Sequence, residues 1–248
     1  MRKEKNNKID EYIKNNNIEF IDFGASKGGS IEFAKKYFCK KSAKGIGIDI
    51  DQNKIDRMKE KGYDAFYGDV TALSLKEKVR FTVMSHFLEH IDGFSNSKKC
   101  IETAIKNSTE FLYIQQPYFD ADGYLFSKGL KFFWSHWTGH KNHMSMIEFY
   151  KILQEILLDE KINRYAIYVY NKIESSADDK IQDISAPIDQ HNYDEKIHPK
   201  KNKKIKFNED VEIFQEVRIL VTTNLDVDFE KVENSFPWTK KIYDSSIK

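Results

Sequence analysis

The feature that most constrains the fold is an apolar run near the start of the chain that leads directly into small residues. Residues 18–23 (Ile-Glu-Phe-Ile-Asp-Phe) predict a buried strand, and an apolar stripe with helical spacing begins at Ile31. The loop between them contains Gly24, Ala25, Ser26 and Gly28. A corner of this kind lets backbone N–H groups approach a nucleotide-like ligand closely. By itself it also fits a simple strand–turn–helix corner or a nicotinamide-binding protein.

The remainder of the chain predicts strands that alternate with helices. Such alternation favours an α/β fold with a mostly parallel sheet that is covered on both faces. Ser30 is predicted to cap the helix after the first strand, Asp51 the next helix, and Ser145 with Glu148 to form a capping box. The seven predicted strands are residues 18–23, 45–50, 65–67, 79–84, 111–114, 165–170 and 217–222.

Acidic residues follow the early strands at positions suited to a nucleoside. Asp22 lies near the end of the first strand, where it could accept hydrogen bonds from the loop backbone or from a ligand ammonium group. Asp49 ends the second strand and can accept both hydroxyls of a ribose. Asp69 follows the third strand and could accept from an adenine amine, while the N–H of Val70 meets a ring nitrogen. Asp51 competes with Asp49, but a helix cap accounts for it.

The fourth strand is followed by Ser85-His86-Phe87-Leu88-Glu89-His90. With this segment, residues 18–160 resemble the class I S-adenosylmethionine-dependent methyltransferases, particularly the small-molecule and glycan-type branch with a Leu-Glu-His signature. The resemblance implies a Rossmann-like, doubly wound, seven-stranded, mostly parallel sheet whose last strand is antiparallel. It also implies S-adenosyl-L-methionine as cofactor and S-adenosyl-L-homocysteine as product.

The resemblance assigns roles by position. The family's glycine-rich loop surrounds the methionine part of the cofactor, the acid after the second strand holds the ribose, and the acid after the third strand contacts the adenine. Ser26 stands where the family usually has glycine. The implied cofactor-binding residues are Asp22, Gly24, Ala25, Ser26, Gly28, Asp49, Ile50, Asp69, Val70, Ser85 and His86.

Candidate bases are histidines, because the unperturbed pKa of histidine lies nearest neutrality. His136, His140 and His143 lie in an aromatic segment after the fifth strand, and His86 follows the fourth. Ligands of such folds bind at the carboxyl ends of strands. The alternative is that these histidines pack a loop against the core or an oligomer partner. No carboxylate or cysteine lies at ligand spacing near the segment, so no metal is expected.

The bulk properties limit the partners. With 40 basic and 39 acidic residues the net charge is +1, which makes a nucleic-acid partner unlikely. No apolar run approaches ~18 residues, so no membrane span is expected, and no signal peptide is expected because the first residues lack an apolar stretch. Two cysteines outside any metal or disulfide spacing fit a cytoplasmic location. Homo-oligomerisation is left open.

We expect one domain over residues 1–248, with a cofactor half at about 15–117, an acceptor-side segment at 118–144 and an insertion or lid at 175–212. The expected reaction moves a methyl group to an oxygen or nitrogen of a small polar acceptor, such as a sugar or phosphorylated precursor of a bacterial surface glycan or capsule. Two alternatives are an RNA or protein methyltransferase that uses the lysines at 200–204, and a non-catalytic cofactor-binding partner subunit. A nicotinamide dehydrogenase is remote, because Asp69 and the Leu-Glu-His signature count against it.

Overall fold

The computed structural model describes residues 2–39, 42–159, 161–191, 193–207 and 211–246. The strands are β1 (Ile18–Phe23), β2 (Lys44–Asp49), β3 (Asp64–Tyr67), β4 (Val79–Ser85), β5 (Ser108–Pro117), β6 (Leu130–Phe132), β7 (Arg164–Ile173), β8 (Ile181–Asp183), β9 (Ile213–Thr222) and β10 (Lys240–Asp244). The helices are α1 (Arg2–Asn16), α2 (Gly29–Phe38), α3 (Gln52–Glu60), α4 (Phe94–Asn107), α5 (Asp122–Ser127), α6 (Met146–Leu158) and α7 (Phe229–Glu233). Short 3₁₀ turns cover Val70–Ala72, Leu88–His90 and Trp134–His136.

Eight of the strands form one sheet in the order β10-β7-β9-β5-β4-β1-β2-β3. The five strands β1–β5 are parallel, and β9 lies antiparallel between β5 and β7. The predicted antiparallel orientation of residues 217–222 is confirmed. The predicted count of seven strands is wrong.

The eighth strand is β10, which pairs antiparallel with β7 at the edge of the sheet. Two hydrogen bonds from the Arg164 guanidinium to Asp244, at 3.0 and 2.7 Å, fasten this strand to its neighbour. Its side chains are mostly exposed or half-buried, so the sequence there lacks the apolar run that marks an inner strand.

Helices cover both faces of the sheet, as the alternation predicted. Successive residues of β1 face opposite sides, so that Ile21 belongs to one apolar cluster and Phe20 to the other. The first cluster includes α4 and α6 through Ile101 and Phe149, and the second includes α2 through Ile31. The parallel strands are therefore buried on both sides.

The helix starts differ from the predictions at one place. Asp51 caps α3, and Ser145 with Glu148 forms the capping box of α6, as predicted. Ser30 does not cap α2, because the helix begins at Gly29, two residues earlier than predicted, and Gly28 occupies the capping position with φ +84°. The Ser30 hydroxyl instead donates a hydrogen bond to Asp22.

A second sheet of two strands, β6 and β8, joins the segments on either side of β7. Segment 118–144 contributes β6 and segment 175–212 contributes β8. Within the described residues, no helix is long and apolar enough to cross a bilayer.

Candidate functional site

The strand order reverses at β1, whose neighbours are β2 on one side and β4 on the other. Connections that diverge from such a point leave a crevice at the carboxyl ends of the strands. Two cavities lie there, one of about 640 Å³ and one of about 200 Å³. Both are lined by Gly24 and Ser26 from the loop after β1 and by His86 and His90 from the segment after β4. The cavities therefore adjoin across these two loops.

The loop after β1 passes very close to the segment after β4. A Cβ atom at Gly24 would lie 2.0 Å from the Phe87 ring, and φ at this residue is +73°, so only glycine fits without strain. The Gly24 N–H donates to the Ile48 carbonyl at 2.8 Å. Ser26 adopts φ +49°, a left-handed conformation that is unfavourable for residues other than glycine. The loop is thus held in one shape before any ligand binds.

Asp22 lies beneath this loop and does not reach the cavities. Its side chain is 0% exposed, and neither described cavity has it among its lining residues. One carboxylate oxygen accepts the Ser30 hydroxyl, and the other has no hydrogen-bond donor among the described residues. Burial raises the pKa of Asp22 to about 7, against the lowering effect of the Ser30 hydroxyl, and the charge of Asp49 adds to the rise.

The smaller cavity contains four of the residues expected to hold the nucleoside, namely Asp49, Ile50, Asp69 and Val70. Both carboxylate oxygens of Asp49 accept hydrogen bonds from the backbone, one from the Ser26 N–H at 3.1 Å and the other from the Asp51 N–H at 2.9 Å.

Asp69, in the same cavity, caps the 3₁₀ turn after β3 through the Thr71 N–H at 3.0 Å and the Thr71 hydroxyl at 2.6 Å. Both acids therefore also have structural roles.

His86 lies at the junction of the two cavities, with Ser85 beside it in the larger one. Its Nδ1 lies 3.3 Å from Glu89 Oε1, and its Nε2 lies 3.5 Å from Glu216 Oε1. Burial alone would lower the pKa of His86, but its ion pairs with Glu216 and Glu89 outweigh it and raise the pKa to about 10. In this arrangement His86 is a cation at neutral pH and a poor proton acceptor.

Of the three predicted histidines after β5, the larger cavity is lined by His140. Its Nδ1 lies 2.9 Å from the Trp134 carbonyl, which can only accept, so Nδ1 carries a proton and Nε2 keeps a free lone pair. The pKa of His140 is lowered, chiefly by burial, which keeps the ring neutral.

His136 and His143 are not among the residues described as lining either cavity. His136 Nδ1 lies 3.1 Å from Lys131 Nζ, and His143 stacks on Phe119 with ring centroids 4.5 Å apart. Both rings pack segment 118–144, as the alternative interpretation of the sequence had it.

Sequence reasoning missed Glu216 and Gln115, which line the larger cavity. Gln115 Nε2 donates to Glu216 Oε1 at 3.1 Å, and the two residues come from β5 and from the antiparallel β9. The pKa of Glu216 is lowered, since His86 and Arg218 outweigh the opposing effect of burial. The available signal was the polar pair at 215–216, directly before the predicted strand 217–222.

The Leu-Glu-His signature meets the aromatic segment in space. One carboxylate oxygen of Glu89 and one ring nitrogen each of His90 and His140 lie within 4.8 Å of one another. The sequence argument against a metal assumed that no carboxylate lies near these histidines. Glu89 is 51 positions from His140 along the chain, and the fold brings it there.

The chain matches no protein-family model and no curated protein. Its structure is similar to that of the YcgJ protein from Bacillus subtilis, with 13% identity and a TM-score of 0.53 over 86% of this chain and 97% of that one. It is also similar to a SAM-dependent methyltransferase from Methanosarcina mazei, with 15% identity and a TM-score of 0.50 over 84% of this chain and 93% of that one. The fold is that of the class I SAM-dependent methyltransferases.

Proposed function

We propose that the protein is an S-adenosylmethionine-dependent methyltransferase. The observation that carries the proposal is the pair of adjoining cavities at the point of strand reversal, joined through Gly24, Ser26 and His86. A cofactor with a nucleoside at one end and a charged methionyl group at the other suits such a pair. Its adenosine would lie in the smaller cavity beside Asp49 and Asp69, and its sulfonium would lie near His86.

The larger cavity supports a small polar acceptor. Its volume of about 640 Å³ falls within the range of small-molecule sites. Phe133, Trp134 and Trp137 provide flat apolar walls against which a sugar ring can pack. Lys27 also lines the cavity and suits a phosphorylated precursor, whereas the Lys180 ammonium pairs with Asp178 and Asp179. We propose methyl transfer to an oxygen or nitrogen of such a compound, a precursor of a bacterial surface glycan.

The proposed assignment of segments follows from the same cavity. Segment 118–144 supplies its aromatic wall and His140, and segment 175–212 supplies Lys180. The two are also tied together away from the cavity, where Thr138 N–H donates to Asp189 Oδ1 at 2.8 Å. We propose that 118–144 binds the acceptor and that 175–212 covers it, within one domain whose cofactor half is about 15–117.

In the proposed reaction the acceptor atom attacks the methyl carbon, the C–S bond breaks, and its electron pair remains on sulfur in S-adenosylhomocysteine. Since the electrophile is already activated, the protein's part is to align the two reactants and to handle the acceptor proton. His140 presents its free Nε2 at the acceptor cavity and is the histidine we propose for that task. Replacing it with Gln should lower kcat by about 10²–10⁴-fold with little change in cofactor affinity.

Isothermal titration of the purified chain with S-adenosylmethionine and S-adenosylhomocysteine tests the proposal, followed by detection of S-adenosylhomocysteine release with sugars and sugar phosphates. No heat of binding at millimolar cofactor would sink it. Binding without product release from any acceptor would favour the non-catalytic partner subunit. The free cysteines Cys39 and Cys100 support the accompanying proposal of a cytoplasmic location.

The RNA alternative receives less support from the lysine cluster at 200–204. Lys201 is buried, and its Nζ donates to the Asp178 and Ile181 carbonyls, while Lys203 pairs with Glu195. Lys201 is therefore withdrawn from solvent, whereas Lys200, Lys203 and Lys204 are exposed. Steep weakening of RNA binding with added salt would restore that alternative.

A further inference from the structure

We propose that Glu89, His90 and His140 form a binding site for a divalent transition-metal ion at the wall of the acceptor cavity. The three residues line the same cavity, and their candidate ligand atoms lie within 4.8 Å of one another. Zinc with bonds of about 2.0–2.2 Å holds tetrahedral ligand atoms roughly 3.4 Å apart. Side-chain movements of about 1 Å therefore close the site.

The Glu89 carboxylate is buried and accepts no hydrogen bond among the described residues, so its recorded partner is the ion pair with His86. Its side chain is 0% exposed, and both oxygens lack a hydrogen-bond donor among the described residues. The nearest cationic group recorded for it is His86 Nδ1, at the ion-pair distance of 3.3 Å. A buried carboxylate without hydrogen bonds is costly unless a cation or metal satisfies it. His86 supplies one cationic neighbour, and a metal ion would add coordination for the carboxylate oxygens that accept no hydrogen bond.

Both histidines are held in a tautomer that metal-ligating histidines commonly have. His90 Nδ1 lies 2.8 Å from the Gly139 carbonyl, and His140 Nδ1 lies 2.9 Å from the Trp134 carbonyl. Carbonyl oxygens can only accept, so each Nδ1 bears the proton and each Nε2 carries the lone pair. A ligating histidine typically donates its second ring N–H to a backbone carbonyl or carboxylate, which fixes the tautomer and the ring orientation.

The ligand set indicates the class of ion. Two imidazoles and one carboxylate bind zinc in catalytic sites and Fe(II) in non-haem sites, and both leave coordination positions open. Here the open positions would face the cavity of about 640 Å³. The site therefore differs from a closed structural zinc site, which uses four protein ligands.

The role of the ion in catalysis rests on the proposed methyltransferase function. An ion held by Glu89, His90 and His140 would act as a Lewis acid and would lower the pKa of an acceptor hydroxyl in the cavity. With the ion bound, the Nε2 lone pair of His140 is a metal ligand, so His140 would promote loss of the acceptor proton through the ion.

The test uses the full chain, stripped of metal by a chelator and titrated with Zn²⁺ by calorimetry and with Co²⁺ by visible absorption. We expect one ion per chain and ligand-field bands typical of four- or five-coordinate Co²⁺. Glu89→Gln and His140→Gln should each weaken Zn²⁺ binding by about 100-fold or more. His143→Gln, which alters a neighbouring histidine outside the cluster, is the matched control and should leave it unchanged.

Circular dichroism and S-adenosylhomocysteine titration of each variant show whether it is folded. Zn²⁺ binding that is absent in the wild-type chain, or equally tight in folded Glu89→Gln and His140→Gln, overturns the site. Loss of the metal site with intact S-adenosylhomocysteine binding leaves the proposed function standing. Intact metal binding without any affinity for the cofactor would defeat the proposed function alone.

Discussion

The Asp49 Oδ2 atom accepts a hydrogen bond from the Ser26 N–H at 3.1 Å, and this bond ties the end of β2 to the glycine-rich loop after β1. The same carboxylate accepts the Asp51 N–H through Oδ1. Asp49 therefore shapes the loop that would surround the methionyl group while it faces the cavity proposed for the ribose. One side chain connects the two halves of the proposed cofactor site.

Replacing Asp49 with Asn should weaken S-adenosylhomocysteine binding by about 10-fold or more, because the amide has one acceptor atom where the carboxylate has two. Asp51→Asn is the matched control, two positions along the chain. Asp51 caps α3 through the Asn53 N–H at 2.9 Å, and asparagine caps about as well as aspartate. Isothermal titration of both variants checks this, and equal affinities would argue against a ribose role for Asp49.

Replacing Gly24 with Ala should damage both the loop and the cofactor site. The added Cβ would lie 2.0 Å from Phe87 at a residue with φ +73°, so the loop and the ring must move apart. We expect a loss of stability of about 1–3 kcal/mol and a loss of S-adenosylhomocysteine affinity of at least about 10-fold.

The matched control for this change is Gly123→Ala in α5, where a Cβ would meet no heavy atom within 4 Å. Alanine there should stabilise the protein by about 0.5–1 kcal/mol, since glycine is unfavourable inside a helix. Urea unfolding measures both changes. A Gly24→Ala protein as stable as the wild type would contradict the contact with Phe87.

Ser26→Gly should stabilise the protein slightly, because φ is +49° at this residue. Relief of the backbone strain contributes up to about 1–2 kcal/mol, and the larger conformational entropy of glycine in the unfolded state reduces this gain. The Ser26 N–H that bonds Asp49 remains, so cofactor affinity should change by less than about threefold. Ser26→Ala retains the strain and removes the hydroxyl alone. A large loss of affinity in both variants would instead show that the hydroxyl holds the cofactor carboxylate.

The stability of the metal-free, ligand-free protein should fall as the pH rises from about 4 to about 7. Asp22 has its pKa raised to about 7 by burial, so between those pH values the folded state holds a proton that the unfolded state has lost. The stabilising contribution of Asp22 is complete at pH values below its pKa in the unfolded state. It is lost as the pH rises through its pKa in the folded state. A shift of this size corresponds to about 4 kcal/mol at most.

Urea unfolding across this pH range checks the slope, and Asp22→Asn should flatten it. Ser30→Ala removes the hydroxyl that donates to Asp22 and should move the fall to higher pH. A profile that is equally steep in Asp22→Asn would mean that another group titrates.

Removing metal should lower the melting temperature of the wild-type protein, and adding Zn²⁺ should restore it. A ligand at 100 times its Kd stabilises the folded state by about 2.7 kcal/mol. Glu89→Gln should have a melting temperature that does not respond to Zn²⁺, because it removes the proposed carboxylate ligand. Thermal melts with and without a chelator measure this, and a Glu89→Gln protein that still responds to Zn²⁺ would exclude Glu89 as a ligand.

Local sequence determined most of the fold. Apolar runs bounded by glycine and acidic residues predicted the five parallel strands, and Asp51 and the Ser145–Glu148 box were found as helix starts, because such signals depend on neighbouring residues alone. β10 was missed because a half-exposed edge strand has no such run, and Ser30 was misassigned because its hydroxyl bonds Asp22 in β1. The pairing of β10 with β7 and the hydrogen bond of Ser30 to Asp22 are contacts between different elements, which the local sequence does not show.

The amino-acid sequence alone determined β1–β5, β7 and β9 in their order along the chain, and the loop and acids of the proposed cofactor site, since each of these follows a strand. Tertiary structure decided which of the predicted histidines line the larger cavity and placed Glu89 near His140, although the two are far apart in sequence. It also brought Glu216 of the antiparallel β9 beside His86. Spacing along a chain predicts helices and strands, whereas the meeting of side chains from different connections depends on how the sheet and its loops pack.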